Sequence, residues 1–541
     1  MYYYNHYNFY LCNIRKHCSH IFIQTFMKKT IILIAFIIPC WMFGQNIPLN
    51  RDLQIEYQLQ HKDQLPLSTT AMAPWVLQVP DSIIKTEGSW LKRKLFSEHL
   101  LGVSEGDVWL TVDPLINLQA GMERFSKTKT WTNTRGFIIK AKIGDKVTFE
   151  STFQENQAVL TPYLYDFAFK YRIIPGSGRL HGYNGGNIFD YSQSTGYVDY
   201  TPNKHFNFQL GNGKHFIGEG YRSLFLSDES FSYPYLRITT SFWHFKYTNL
   251  YTQFQDLRKN VVDTNYYRKK YSTMHLLSWD VTKNFNLTFF EAVVWNAGDS
   301  LAPRGFDVNY LNPVIFYRPV EFSLGSPDNE LMGFMSSYKL NRTTIYGQVM
   351  LDEFKIKDVL AGNGLWANKQ AYQLGVKSYE PFNIKGLYVL AEFNHARPYT
   401  YSHSDRITAW GHYNQPLADP LGANFQEGVF QIRYQRDRWI GNITIISAMY
   451  GLDENNSNYG KDIFQSYYTA VQFFGNRTGQ GLRTNLFYSE SELRYVINKK
   501  MNLEAVGRML YRNEHNNQWT QRDNEFTLGL RTNVFNHYGA F

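Results

Sequence analysis

Hydrophobic and polar positions alternate over long stretches of this chain. Phe206, Phe208 and Leu210 share one parity, with His205, Asn207 and Gln209 on the other. Val147, Phe149 and Phe153 oppose Thr148, Glu150 and Thr152, and Leu387, Val389, Ala391 and Phe393 oppose Glu392 and Asn394. Met501, Leu503, Ala505, Met509 and Tyr511 oppose Asn502, Glu504, Arg508 and Arg512. Successive side chains of a strand point to opposite faces, so each run predicts a strand with one apolar and one polar side. Residues 285–295 break the pattern by placing Glu291 among apolar positions, which the sequence alone does not explain.

The connections between these runs are of two kinds. Tight polar turns sit at Gly144-Asp145, Lys283-Asn284, Asn341-Arg342 and Asn498-Lys499-Lys500, as antiparallel neighbours require. Between the hairpins lie long segments, roughly residues 157–194, 212–232, 297–329, 397–424 and 450–481, rich in Gly, Asn, Tyr, Asp and Pro. Short turns at one end and long loops at the other are the layout of an outer-membrane β-barrel. Paired runs from Val108 onward number about 16–20 strands of the ~9–11 residues a tilted membrane strand needs, and an even count near 18 is preferred. A sandwich has no reason to alternate long and short connections, and a propeller would show blade repeats, which are absent. The last alternating run, residues 526–535, lies close to Phe541 and resembles the assembly signal of such barrels.

Composition sharpens the class. With 17% aromatic residues, including 40 Tyr, 40 Phe and 12 Trp, the chain is not disordered. A mean hydropathy of −0.40 fits a barrel with a polar interior. Its three cysteines, Cys12, Cys18 and Cys40, all fall in the first forty residues, so disulfide frameworks, Cys-ligated zinc and thiol catalysis are excluded beyond them. Met27-Lys28-Lys29, the apolar stretch 30–38 and Gly44 form the three parts of a secretory signal. Residues 1–26 read as an upstream misassigned start, with cleavage after Gly44. The chain therefore divides into 1–44 (removed), a periplasmic segment 45–107 and a barrel 108–541. Beyond residue 44 the balance is 51 basic against 46 acidic residues, or +5, spread along the chain, which does not imply nucleic acid. In the periplasmic segment, Trp90 or Leu91, Leu95 and Leu100 fall near one face of a short helix ending before Gly102, a spacing that predicts packing on another surface.

Candidate chemistry is sparse. His395, His403, Asp405 and His412 crowd one loop, but their spacing matches no helical metal-ligand pair, so hydrogen-bonding loop histidines are the expectation. Asp352 and Glu353 are adjacent and would point to opposite faces of a strand, so they are not a catalytic pair. His403-Ser404-Asp405 holds triad residue types, yet sequence neighbours do not aim at one another. We expect no catalytic residues, no metal and no cofactor. The loops at 179–186 and 397–401 combine flat aromatic rings with polar forks, the chemistry that packs on sugar faces and hydrogen-bonds hydroxyls or acidic groups. Most other tyrosines are expected in the interfacial girdle.

Residues 208–228 (FQLGNGKHFIGEGYRSLFLSD), 346–354 (YGQVMLDEF), 396–401 (ARPYTY), 411–425 (GHYNQPLADPLGANF) and 90–100 (WLKRKLFSEHL) resemble the capsule-assembly protein Wzi family. In particular they are similar to its branch of gliding-motility proteins, RemB, from gliding Bacteroidetes. The resemblance covers nearly the whole chain beyond the leader. It implies an outer-membrane barrel of about 18 strands with helical periplasmic elements, long loops facing outside, and a role in holding capsular polysaccharide or in gliding. The implied partners are surface polysaccharide, outer-membrane lipid, and gliding-machinery or adhesin proteins. The candidate ligand-binding residues are His181, Tyr183, Asn184, Lys214, Tyr221, Arg222, Arg397, Tyr399, Tyr401, His412 and Asn414. Arg222 and Asp228 either pair or leave one facing ligand. A porin-like channel and, behind it, an outer-membrane hydrolase are the alternatives.

Overall fold

The computed structural model describes residues 45–61, 65–77, 86–180, 182–183, 186–257, 267–298, 303–314, 328–353 and 355–541. Eighteen antiparallel strands close into one barrel. They are β1 (Val108–Glu123), β2 (Lys129–Ile143), β3 (Val147–Val159), β4 (Ile188–Asn203), β5 (Phe206–Gly213) and β6 (Tyr233–Phe242). Next come β7 (Phe245–Asp256), β8 (Arg268–Thr282), β9 (Phe285–Asn296), β10 (Asn329–Leu340), β11 (Thr343–Leu351) and β12 (Gln370–Tyr379). The last six are β13 (Leu387–Ala396), β14 (Phe425–Arg436), β15 (Trp439–Leu452), β16 (Leu482–Asn498), β17 (Leu503–His515) and β18 (Thr520–Thr532). Strand β18 closes on β1 with Glu525 opposite Glu123 and Arg531 opposite Asn117, while the first residues of β1 pair instead with a short strand, Leu101–Glu105.

The alternation in sequence becomes inside and outside. Phe149, Phe208, Phe393 and Met509 are exposed on the outer face, and Leu210 is 65% exposed. Gln209, Glu392, Arg494 and Glu504, of the opposite parity, are buried. An apolar exterior around a buried polar interior inverts a water-soluble fold and is what a lipid-facing barrel requires. The expected tight turns are present, and Gly144 (φ 56°) and Asn341 (φ 53°) take the left-handed conformation that their residue types tolerate. Glu291, the exception to the alternation, has an ionisable neighbour in the barrel wall. It lies on the outer face 3.5 Å from His275 of the neighbouring strand. Residues 303–314 fold down over that face, where Tyr310 O accepts from Thr273 Oγ1 (3.1 Å) and Leu311 O from Tyr251 OH (3.4 Å).

Several segments fill the interior, among them residues 67–73, where Met72-Ala73 pair with Phe216-Ile217 and Ser68 Oγ donates to Asp280 at 2.6 Å. Helix α1 (Arg51–Gln60), capped by the Asn50 side chain, lies against β14 and β16 through Asp52, which is 3.1 Å from Arg433 and 2.6 Å from Arg494. Residues 214–232 and 397–424 supply an apolar core in which Leu224, Phe225, Leu226, Trp410 and Leu417 pack on inward-facing Met274, Phe290, Met335 and Met350. The Phe225 and Phe290 rings stack at 4.8 Å. Finally, residues 533–541 turn back into the lumen: Asn536 Nδ2 and Tyr538 OH donate to Asp228 at 2.7 and 2.8 Å. The last strand therefore stops at Thr532, and Phe541 packs against Tyr163 instead of ending a strand.

Helix α2 (Trp90–Phe96) is shorter than expected, because residues 101–105 are drawn into the strand beside β1. Its apolar residues face outward, not onto the barrel, whereas Lys94 O and Glu98 O accept from Asn498 Nδ2, each at 2.9 Å.

Candidate functional site

The long-loop end is organised around residues 397–401. Tyr399 and Tyr401 have φ of 67° and 71°, so the chain coils tightly there and radiates its polar groups in several directions. Tyr399 N–H donates to Gly460 O (3.0 Å) and its hydroxyl to Asn458 O (2.8 Å), holding the loop 453–481. Tyr401 N–H donates to Asp352 Oδ2 (2.8 Å), and its hydroxyl to Leu224 O (2.9 Å), holding the loops 352–369 and 214–232. Arg397 joins two of these loops, donating from Nε to Asn368 O (2.9 Å) and from Nη2 to Asn476 O (3.3 Å). Buried Lys369 closes the arrangement, 2.9 Å from Asp352 and donating to Ser402 O at 2.8 Å.

The two loops so held meet edge to edge. Trp366 N–H donates to Phe473 O, Gly475 N–H to Asn363 O and Asn476 N–H to Gly364 O, at 2.9–3.1 Å. Their aromatic side chains cluster at the surface. Trp366 lies 4.5 Å from Tyr467 and 6.4 Å from Phe473, with Tyr468 and Phe474 each 5.0 Å from their neighbours Tyr467 and Phe473. Tyr468 is 77% exposed and Phe473 61%, with exposed Gln472 and Arg477 beside them. Flat apolar rings next to amide and guanidinium donors can stack on a sugar ring while hydrogen-bonding its substituents.

The candidates chosen from sequence fall differently. His181 and Asn184 lie outside the described residues; Tyr183 is in a two-residue strand, Gly182–Tyr183, beside Phe189. Lys214 is half-buried, donating to Gly176 O (2.6 Å) and Asp228 O (2.9 Å), and burial lowers its pKa to about 8. Tyr221 and Arg222 sit inside the barrel. Tyr221 N–H donates to Glu392 (2.9 Å) beneath the Arg51 guanidinium, and Arg222 bonds Glu229 (2.9 Å) and Glu427 (3.0 Å). Asp228 is 3.5 Å from Arg51, so Arg222 and Asp228 take separate partners. Tyr399, Tyr401 and His412 are buried; Arg397 and Asn414 are half-buried, and Asn414 Nδ2 donates to Tyr171 O (3.1 Å). In the structure Arg397, Tyr399, Tyr401 and Asn414 join loops to one another, while Tyr221 and Arg222 fasten their segment to Glu392 and Glu427 of the barrel wall. The exposed rings Tyr468, Phe473 and Phe474 and the half-buried Trp366 were not singled out from sequence; the doublets Tyr467-Tyr468 and Phe473-Phe474 in a Gly- and Asn-rich stretch were the available signal.

The loop histidines do not converge. His395 Nε2 is 2.8 Å from Thr478 Oγ1, His403 Nδ1 is 2.7 Å from Thr408 Oγ1, and Asp405 caps a short helical turn by accepting from Ile407 N–H. Burial lowers the pKa of His403 to about 4 and of His412 to about 3, keeping both rings neutral at pH 7. Among the described residues no three His, Asp, Glu or Cys side chains are grouped as metal ligands.

No family model and no curated protein matches the sequence. Among solved structures, the chain is similar in fold to Wzi of Escherichia coli, described as an outer membrane protein involved in group 1 capsule assembly and a carbohydrate binding β-barrel. The match has a TM-score of 0.51 at 10% identity and covers 89% of this chain and 98% of that one. OccAB2 of Acinetobacter baumannii and OprD of Pseudomonas aeruginosa also match, each at a TM-score of 0.41 and 11% identity over 78% of this chain, covering 96% and 94% of theirs.

Proposed function

We propose that this protein is a non-enzymatic outer-membrane barrel whose long-loop face binds a surface polysaccharide, in capsule attachment or assembly or in gliding motility. Residues 1–44 would direct export and be removed, leaving the long loops outside. The observation that carries the reading is the cluster of exposed Tyr468, Phe473 and Phe474 beside half-buried Trp366, fixed in place by the Arg397–Tyr401 hub over a packed interior. Similarity in fold to a carbohydrate-binding barrel and the sequence resemblance to the Wzi family support it. The gliding assignment rests on the sequence resemblance to RemB.

A second reading, passage of a small polar solute, draws on two voids, one of about 190 Å³ along the inner face of β1–β5 and one of about 210 Å³ between β1, β2 and β16–β18. Both are bordered by Asn117, Tyr191 and His537.

The test is binding of the detergent-folded barrel to surface polysaccharide from its own cells. Tyr468→Ala with Phe473→Ala removes the exposed rings without touching the hub. We expect saturable binding weakened about tenfold or more in that double variant, the loss typical of central aromatic contacts. Arg397→Ala with Tyr399→Ala should weaken binding indirectly, by freeing the loops. Binding unchanged in the ring variant would place the polysaccharide elsewhere, and no binding by a folded barrel would favour the solute channel.

A further inference from the structure

Helix α2 is an anomaly by the rules of packing in water. Trp90 (60%), Leu91 (66%), Leu95 and Phe96 (both 42%) are exposed, while its polar residues Arg93 and Lys94 turn toward the protein. Arg93 Nη1 and Lys94 Nζ both lie 3.0 Å from buried Glu98, and Lys94 Nζ also donates to His99 O (2.9 Å). The helix is thus fastened by its polar side and presents its apolar side outward, with Leu91 and Leu95 one turn apart on the same face. Its register is fixed on both flanks. Asn498 ties it to the end of β16, and the His99–Asp113 pair at 2.6 Å ties the following residues to β1.

The chain leaving α2 enters the strand Leu101–Glu105, whose exposed Leu101 and Val103 share the outward parity of Val108 on β1. On the other side lie Leu493 and Tyr495 of β16, the latter with its ring 4.9 Å from Trp439, all exposed on the outer belt at the short-turn end. Helix α2 is thus tied on both flanks to strand ends whose outward residues are apolar and exposed. Two exposed lysines accompany it: Lys92, which at about 100° per residue falls between Leu95 and Phe96 on the outward side, and Lys499 in the adjoining turn. Aromatic and aliphatic residues flanked by lysine are the pattern of a helix lying in the boundary between acyl chains and anionic headgroups.

We propose that α2 is a membrane-interfacial anchor, seated in the phospholipid leaflet at the short-turn end of the barrel, with Trp90, Leu91, Leu95 and Phe96 among the acyl chains and Lys92 and Lys499 at the phosphates. The inference rests on the membrane-barrel reading but is independent of what the long loops bind.

Spin labelling of the full chain tests it. Cys12, Cys18 and Cys40 are replaced by Ser, and a nitroxide is attached at Leu91→Cys or Leu95→Cys after reconstitution into liposomes of zwitterionic and anionic phospholipid. Leu374→Cys, on the outer face of β12, reports whether the barrel is in the bilayer, and Asp145→Cys reports the aqueous turns. Power saturation with oxygen and with a water-soluble nickel complex is then compared. We expect labels at 91 and 95 to favour oxygen, as at 374, while 145 favours nickel. Labels at 91 and 95 that behave like 145 overturn the anchor. So do labels shielded from both reagents, which would mean the face is covered by protein. If 374 itself favours nickel, the membrane-barrel reading fails, and the anchor falls with it.

Discussion

His412 shows how one ring nitrogen's partner dictates charge. Its Nδ1 accepts from Gln255 N–H at 2.9 Å, so the proton sits on Nε2, which faces Ser232 O at 3.3 Å. A second proton on Nδ1 would point at a backbone N–H. Burial is the main cause of the lowered pKa, about 3, and Lys270 and Lys214 add to it. The sign follows from proton counting: the unfolded chain binds a proton near pH 6.5 and the folded one does not. The contribution is therefore present in full above about 6.5 and is lost as pH falls toward about 3. At pH 4.5 the loss is about 2–3 kcal/mol. We expect protease cleavage within residues 397–424 to rise between pH 7.5 and 4.5, and His412→Gln to reduce that dependence, leaving the share due to His403, whose pKa burial lowers to about 4. Equal protection of the wild-type loop at both pH values would contradict the assignment.

At the scale of elements, the hub binds the loops through close backbone approach. Gly460 has φ of 83°, and a Cβ there would stand 2.5 Å from Tyr399 N. Gly460→Ala must therefore push the 453–481 loop off residue 399, breaking the Tyr399–Gly460 hydrogen bond. We expect faster hydrogen exchange across 453–481 and weaker polysaccharide binding, with β15 and β16 unaffected; an unchanged exchange profile would show that the loop is held elsewhere. The strands themselves were legible in the sequence because period two is a local property, readable at Phe206–Leu210 or Leu387–Phe393 without knowing the neighbours. The tight turns were legible for the same reason. The site was not. Tyr399 and Tyr468 have the same chemistry and both lie in long loops, yet one is buried and the other exposed. That difference is decided by which loop lies on top, through contacts between residues far apart in sequence such as Tyr401–Leu224 and Trp366–Phe473. Glu291 and α2 resisted reading for a related cause: each has a charge balance or apolar face completed by something non-local.

At the scale of the whole molecule, the barrel's interior is held by charge as much as by apolar packing, and α1 depends on it most. Asp52 is the shared counter-ion of Arg433 and Arg494, on two different strands, and also accepts from Asn533 Nδ2 in the returning tail (3.2 Å). Burial alone would raise its pKa, but the two guanidiniums outweigh that and hold it far below the usual carboxylate range. A depressed carboxylate stabilises fully above its ordinary value near 4 and loses that contribution only as pH falls below it, so α1 should stay docked at pH 5. Asp52→Asn is different, because it strips buried Arg433 of the carboxylate it is paired with and removes the nearest partner of Arg494, which keeps only the more distant Glu492 and Glu504 at 3.6 and 3.7 Å. The cost of stripping one partner from such a buried group is about 3–5 kcal/mol. It falls on α1 and the tail, since the backbone ladders of β14, β15 and β16 do not involve Asp52. We therefore expect the variant to keep the gel mobility of a folded barrel while residues 45–61 become open to protease. In planar bilayers it should conduct in flickering steps where the wild type conducts little, as an interior freed of one of its filling segments admits water and ions. A variant that conducts no more than wild type, with 45–61 still protected, would show that the remaining contacts of α1, Arg51 with Asp228 and Glu229 among them, suffice to hold it.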